Sequence, residues 1–181
     1  CSSGRERSVN LADKFRALTQ PSPKVGTVID GYTITREIGR GATMRVYEAR
    51  APNGGHVALK LLDRKLLKNS SIVAQVSMEA AVLNFVHHPN LPQQLDHGVH
   101  AGSPYLVQEL IDGPTLEHFE KKIFKDKSFP WLLSARTFVA VCDALDALHT
   151  HDIIHRDLKP ANTILAGRHG KRRVVLVDMG S

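Results

Sequence analysis

The stretch IIHRDLKPANTILAGRHGKRRVVLVDMG, residues 153–180, limits the fold of this chain more than any other. It crowds His155, Arg156, Asp157, Lys159 and Asn162 into one loop between apolar segments, and polar groups beside a core need partners or a task. TILA and RRVVLV then read as two short strands joined by Gly167-Arg168-His169-Gly170 as a hairpin. Asn162 lies just before the first strand and Asp178 just after the second. Closing the hairpin brings those ends together, so an amide oxygen and a carboxylate can face one cation. Hard oxygen ligands of this kind suit Mg²⁺ carrying phosphate. At Asp178 alone, an aspartate capping a turn would leave the same trace.

Upstream, the segments YTITREI, RVYEAR and HVALKLL alternate in polarity and are separated by Gly39-Arg40-Gly41 and Pro52-Asn53-Gly54-Gly55. That is a strand, turn, strand, hairpin turn, strand pattern. Val76, Ala80 and Leu83 fall at helical spacing within 71–86, and two more strands are expected near Gln94–Val99 and Tyr105–Glu109. Past Gly113 the pattern turns helical. Phe138, Val141, Cys142, Leu145 and Leu148 share a stripe between Ser134, a candidate N-cap, and His149. A strand-rich first half with one helix, joined to a helical second half, predicts an α+β fold in two lobes. Residues 1–30 read as a leader or linker, 31–112 as the first lobe and 113–181 as the start of the second. The chain opens on Cys1 rather than Met and is expected to be a piece of something longer.

Two glycines two apart, Gly39 and Gly41, let a backbone turn tightly and approach a ligand closely. A plain hairpin turn would look the same. In the strand HVALK, Ala58 and Lys60 share one face, while Val57, Leu59 and Leu61 share the other. A lysine among apolar neighbours is costly unless it meets a negative charge or snorkels to solvent. Glu79, beside the packed stripe of its helix, offers a carboxylate that would hold the Lys60 ammonium aimed at a phosphate. An ordinary solvated helix glutamate fits the same spacing.

The formal charge of +6 is scattered along the chain rather than striped, so solubility explains it and a nucleic-acid partner is not expected. Two cysteines, Cys1 and Cys142, make no disulfide framework, which favours a reducing, cytoplasmic setting. No apolar run approaches the roughly 18 residues of a membrane span; any membrane anchor would lie downstream of this segment.

Taken together, the chain from about Gly31 to Gly180 resembles a protein kinase of the eukaryotic-like (Hanks-type) serine/threonine class, found also in bacteria. The resemblance rests on an ordered set. It comprises the glycine loop at Gly39, Gly41 and Val46, VALK with Lys60, Glu79 on the helix, HHPN after it, QELIDG as a hinge, HRDLKPAN, and DMG where the family usually has D-F-G. It implies ATP with Mg²⁺ or Mn²⁺ as cofactors and a protein Ser/Thr hydroxyl as acceptor. Lys60 would contact the α/β phosphates, paired with Glu79. Asp157 would accept or orient the hydroxyl proton, Lys159 would steady the transferring phosphate, and Asn162 and Asp178 would hold the metal. The nucleotide would lie among Ile38, Gly39, Gly41, Val46, Ala58 and Ile164. The backbone at Glu109 and Ile111 would meet the adenine edge, with Gln108 at the back. Self-association or a regulatory protein is compatible with this reading.

Met44 departs from the third glycine of the loop, an expected stiffening of the lid, and Met179 replaces the usual Phe. The activation loop, its A-P-E anchor and most of the helical lobe would follow Ser181. The isolated segment is therefore expected to be inactive, with a bare apolar stripe on the helix bearing Phe138 and Leu145. Two other classes share these residues: a non-catalytic nucleotide-binding scaffold, and a small-molecule phosphotransferase of kinase-like fold.

Overall fold

The structure, a computed structural model, describes residues 22–123, 131–167 and 173–178. Most of the expected leader, the tip of the last hairpin and Met179 lie outside those residues. Alternating polarity sets the first half as strands β1 (Val28–Ile29), β2 (Tyr32–Arg40), β3 (Met44–Arg50), β4 (His56–Leu62), β5 (Gln94–His100) and β6 (Ser103–Glu109). They pair antiparallel in the order β1-β2-β3-β4-β6-β5. As the period of two requires, Val57, Leu59 and Leu61 bury one face of β4 together with Ile34, Tyr47 and Val107. The sheet curls until its two ends meet. Tyr32 Oη donates to Asp96 Oδ2 at 3.0 Å, and Tyr105 Oη donates to Asp30 Oδ2 at 2.9 Å. Burial and the adjacent Asp96 carboxylate push the Tyr32 phenol up to about 12.

Helix α1 (Ser70–Leu83) starts where the Asn69 side chain accepts from the amides of Ser71 and Ile72 at 3.1 and 3.3 Å. Its buried residues are Val76, Ala80 and Leu83, the three that the spacing marks. The second half comprises α2 (Leu116–Ile123), α3 (Trp131–His149) and an antiparallel hairpin of β7 (Thr163–Ala166) and β8 (Arg173–Leu176). One continuous core crosses between the halves. Leu62, Val76, Leu83 and Leu106 pack in a single cluster with Ala144, Leu148, Ile153 and Leu176.

Helix α3 differs from its sequence reading in two ways. It begins at Trp131, so Ser134 lies inside the helix rather than capping it. Its buried residues are Thr137, Ala144 and Leu148, with Val141 and Leu145 partly covered, whereas Phe138 and Cys142 are exposed. The hairpin decides this. Ala144 and Leu148 meet Leu176 of β8, and close approach to a strand favours the helix face that carries small residues over the one with the large phenyl ring.

Two links position the site. Asn90, in the loop after α1, donates from Nδ2 to the Val174 carbonyl at 2.7 Å and accepts from the Leu176 amide at 2.9 Å, tying that loop to β8. Between β6 and α2, Gly113 packs directly on β7. A Cβ there would lie 2.5 Å from the Leu165 carbonyl oxygen, an approach only glycine permits.

Candidate active site

The cleft between the curled sheet and the helical half holds two adjoining spaces. The inner one, about 270 Å³, is an apolar slot. Ile38, Gly39 and Val46 line it from β2 and β3, Ala58 and Lys60 from β4, Gln108, Glu109 and Ile111 from β6 and the hinge, and Ile164 from β7. The outer space, about 530 Å³, is lined by Gly39, Gly41, Val46, Lys60, Asp157, Lys159, Asn162 and Asp178. All the residues assigned to the nucleotide, metal or transfer roles from the sequence, except Glu79, therefore line one or both spaces.

The glycine loop closes the roof, with the Gly41 amide donating to the Met44 carbonyl at 2.8 Å. Neither Gly39 nor Gly41 has positive φ, and a Cβ on either would make only ordinary contacts at 3.5–3.8 Å. The turn does not itself demand glycine at these two places, so the bare backbone serves whatever fills the space beneath it. Met44 also lacks a left-handed backbone, and its side chain packs against the main core. The third position of the loop thus accepts a side chain that leans inward.

On the floor, His155 is buried and bridges two segments. Its Nε2 donates to the Val177 carbonyl at 3.0 Å, and its Nδ1 accepts from the Asp157 amide at 3.3 Å. These bonds hold the loop around Asp157 against the end of β8. They also accompany two non-glycine residues with left-handed backbone, Arg156 (φ 64°) and Asp178 (φ 60°). Such conformations cost about 1–3 kcal/mol each and persist where surrounding contacts over-determine them. Asp157 accepts from Lys159 Nζ at 2.6 Å and from Asn162 Nδ2 at 2.9 Å. The Lys159 contact first, then Asn162, holds its carboxyl below the usual carboxylate range, so it is ionised at neutral pH.

Asn162 is buried, and the Val177 amide donates to its carbonyl at 2.8 Å, so hairpin closure does place Asn162 and Asp178 on one cavity. Its side-chain NH₂ is committed to Asp157, donating also to the Asp157 carbonyl at 2.8 Å, which leaves Oδ1 as an oxygen ligand. One amide oxygen and one carboxylate fit a divalent ion whose remaining ligands are phosphate oxygens and water. Four cations line this space, Arg40, Lys60, Arg156 and Lys159, against two carboxylates, Asp157 and Asp178. The surplus suits a polyanionic ligand.

One expected pair is absent. Lys60 Nζ lies 2.7 Å from Asp178 Oδ1, not on Glu79. A buried ammonium takes the nearest carboxylate, and the end of β8 delivers one. Glu79 accepts from Gln75 Nε2 at 3.3 Å and faces Arg156 Nη1 at 3.7 Å. Sequence reading assigned no role to Arg40, Ala42 and Arg156 in the outer space, or to Pro92, Leu110, Thr115, Ala161 and Val177 in the slot. Adjacency to marked residues could have flagged Arg40, Arg156, Ala161 and Val177. Nothing in the sequence points to Pro92 or Thr115.

Burial lowers the pKa of His155 below its ordinary 6.5, the bond to Val177, the Asp157 and Asp178 carboxylates opposing and Lys60 reinforcing. Unfolded, the imidazole takes a proton near pH 6.5; folded, it does so only at lower pH. Its stabilising contribution is therefore complete above the unfolded value and lost as pH falls through the folded one. In His155→Gln, the slope of unfolding free energy against pH is expected to shrink below about pH 6.5. The remainder would come from His100, also lowered by burial, and at lower pH from Asp157 and Glu48, whose carboxyls the Lys159 and His56 contacts hold below their ordinary range. Urea titrations across that range measure it, and an unchanged slope would contradict the neutral-imidazole assignment.

Residues 32–181 match the family described as protein kinase domain. The chain is 33% identical over 160 residues to the serine/threonine-protein kinase Pkn1 of Myxococcus xanthus, covering 87% of this chain and 22% of that protein. It is 32% identical over 161 residues to the serine/threonine-protein kinase PkaA of Streptomyces coelicolor, covering 82% of this chain and 29% of that one. It thus spans less than a third of either relative. Among solved structures, the PknI kinase domain of Mycobacterium tuberculosis superposes with a TM-score of 0.75 at 27% identity, over 88% of this chain and 63% of that one.

Proposed function

Because the chain belongs to the protein kinase family, we propose that it carries the nucleotide-binding and catalytic-loop part of a serine/threonine protein kinase. Members of this family use ATP and a divalent metal. The observation that carries the reading is the meeting of Asp157, Lys159, Asn162, Asp178 and Lys60 on one cavity beside an apolar slot.

In this reading, residues 31–112 grip the nucleotide and the segment from 113 onward performs transfer. The base enters the slot between Val46 and Ala58 on one side and Ile164 on the other, against the backbone of Glu109 and Ile111. Asn162 and Asp178 would hold Mg²⁺, which supplies positive charge to the phosphate oxygens when bound. Lys60 exchanges its contact with Asp178 for phosphate oxygens. Asp157 accepts a hydrogen bond from the acceptor hydroxyl. That oxygen attacks the γ-phosphorus, its bond to the β-phosphate oxygen breaks, and the hydroxyl proton passes to Asp157. Lys159 neutralises the transferred group. Little covalent work falls to the protein, so positioning and charge carry the rate. A cytoplasmic site for this segment accords with its sparse cysteines.

The test, made on the full-length protein, is transfer of label from [γ-³²P]ATP to protein acceptors. Phosphoserine or phosphothreonine is the expected product. Label appearing only on small-molecule acceptors would replace this reading with a small-molecule phosphotransferase. ATP binding with no transfer to any acceptor would favour the scaffold.

A further inference from the structure

Resting on the nucleotide reading above, we propose that Gln94 and Gln108 form an amide relay of fixed polarity. It makes the inner end of the slot select a base edge carrying an amino donor over one carrying a carbonyl.

The argument begins with strand register. Ala58, Gln108 and Gln94 stand directly opposite one another across β4, β6 and β5, so the three side chains share the cleft face. Gln108 is 2% exposed and Gln94 5%. Two buried carboxamides are costly unless their polar atoms are used. The ladder between β5 and β6 slips between Gln94 and Asp96, a bulge that places the Asp96 carbonyl where the side chain two residues back can reach it. Gln94 Nε2 donates to that carbonyl at 3.1 Å.

A backbone carbonyl can only accept. It therefore fixes which way the Gln94 amide points, and Oε1 must face the other side. There Gln94 Oε1 accepts from Gln108 Nε2 at 3.3 Å. The polarity passes down the row, and Gln108 presents its own Oε1 as the last member. That oxygen meets no donor among the described residues, and Gln108 lines the slot of about 270 Å³. An acceptor left bare in such a wall is satisfied by a donor on the ligand. A ligand carbonyl there would face oxygen to oxygen. Turning the Gln108 amide over would not relieve this, because its Oε1 would then face Gln94 Oε1.

Adenosine and inosine triphosphates probe this directly, since they differ at the 6-position, amino against oxo. Binding of each is measured by calorimetry on the chain, on Gln94→Leu and on Gln108→Met, with thermal melts to confirm folding. The chain itself is expected to favour the adenosine nucleotide. In Gln94→Leu the Gln108 amide is free to turn its NH₂ outward, so the inosine nucleotide should tighten by about tenfold relative to the adenosine one. A gain of that kind is not what loosened packing produces. In Gln108→Met the preference should also fall, through loss of the adenosine contact. An unchanged preference in both variants overturns the relay and leaves the nucleotide reading standing. Failure of the unaltered chain to bind either nucleotide overturns both. If Gln94→Leu does not fold, the Gln108→Met comparison decides alone.

Discussion

In the full-length protein, Asp157→Asn is expected to slow phosphoryl transfer by about 10²–10⁴-fold while leaving ATP binding in place. The separation follows from where the carboxylate sits. Asp157 lines the outer space but not the apolar slot, so base recognition does not pass through it. Asparagine keeps the shape and the acceptor oxygen that Asn162 Nδ2 approaches at 2.9 Å. It removes the negative charge that, in the proposed reaction, would accept the hydroxyl proton, and that holds Lys159 Nζ at 2.6 Å. Initial rates of label transfer, with calorimetric titration of ATP in parallel, measure the two effects separately. Equal rates for the two proteins would remove Asp157 from the reaction and hand the site to the scaffold reading. Loss of ATP binding along with transfer would instead show a structural role.

The second large effect concerns stability. Leu148→Ala should lower the unfolding free energy by about 2–5 kcal/mol. Leu148 has no exposed surface and belongs to the core cluster that joins the sheet and α1 to α3 and β8. Because that cluster is continuous, the loss should fall on both halves together. Urea unfolding followed by far-UV circular dichroism, with hydrogen exchange at β4 and α3, would read it. Protection lost in α3 alone, with β4 unchanged, would mean that the halves melt independently. The expectation of a bare apolar stripe is met in part: Phe138 is exposed as expected, but Leu145 is partly covered and Leu148 is buried. Trp131, Leu132, Phe138 and Val139 are exposed on α3, while Ala144 and Leu148 are not. The stripe has two sides, and the shared core covers one of them.

How much of this was legible beforehand depends on the range of the interaction involved. The strands near Tyr32, Met44 and His56 follow from alternation, a property of neighbouring residues, and α1 follows from Val76, Ala80 and Leu83 in the same way. The convergence of Asn162 and Asp178 was legible because a hairpin is a local closure with few alternatives. The rotation of α3 was not. Its spacing permits several apolar faces, and the choice rests with β8, which is remote in sequence. The partner of Lys60 was missed for a related reason. Glu79 and Asp178 are both carboxylates, and only distance in the folded chain ranks them.

By itself, the order of residues determined the α+β architecture and the chemistry available in the cleft. Two glycines, one buried lysine and a cluster of oxygen ligands can be named without coordinates, because side-chain type and local periodicity do not depend on what packs against them. Tertiary structure alone decided which charges pair, with Lys60 on Asp178 and Glu79 near Arg156. It alone aligned Gln94 with Gln108 across a bulge. Pairing energies depend steeply on separation and burial, and for the two ion pairs both are set by contacts between segments tens of residues apart.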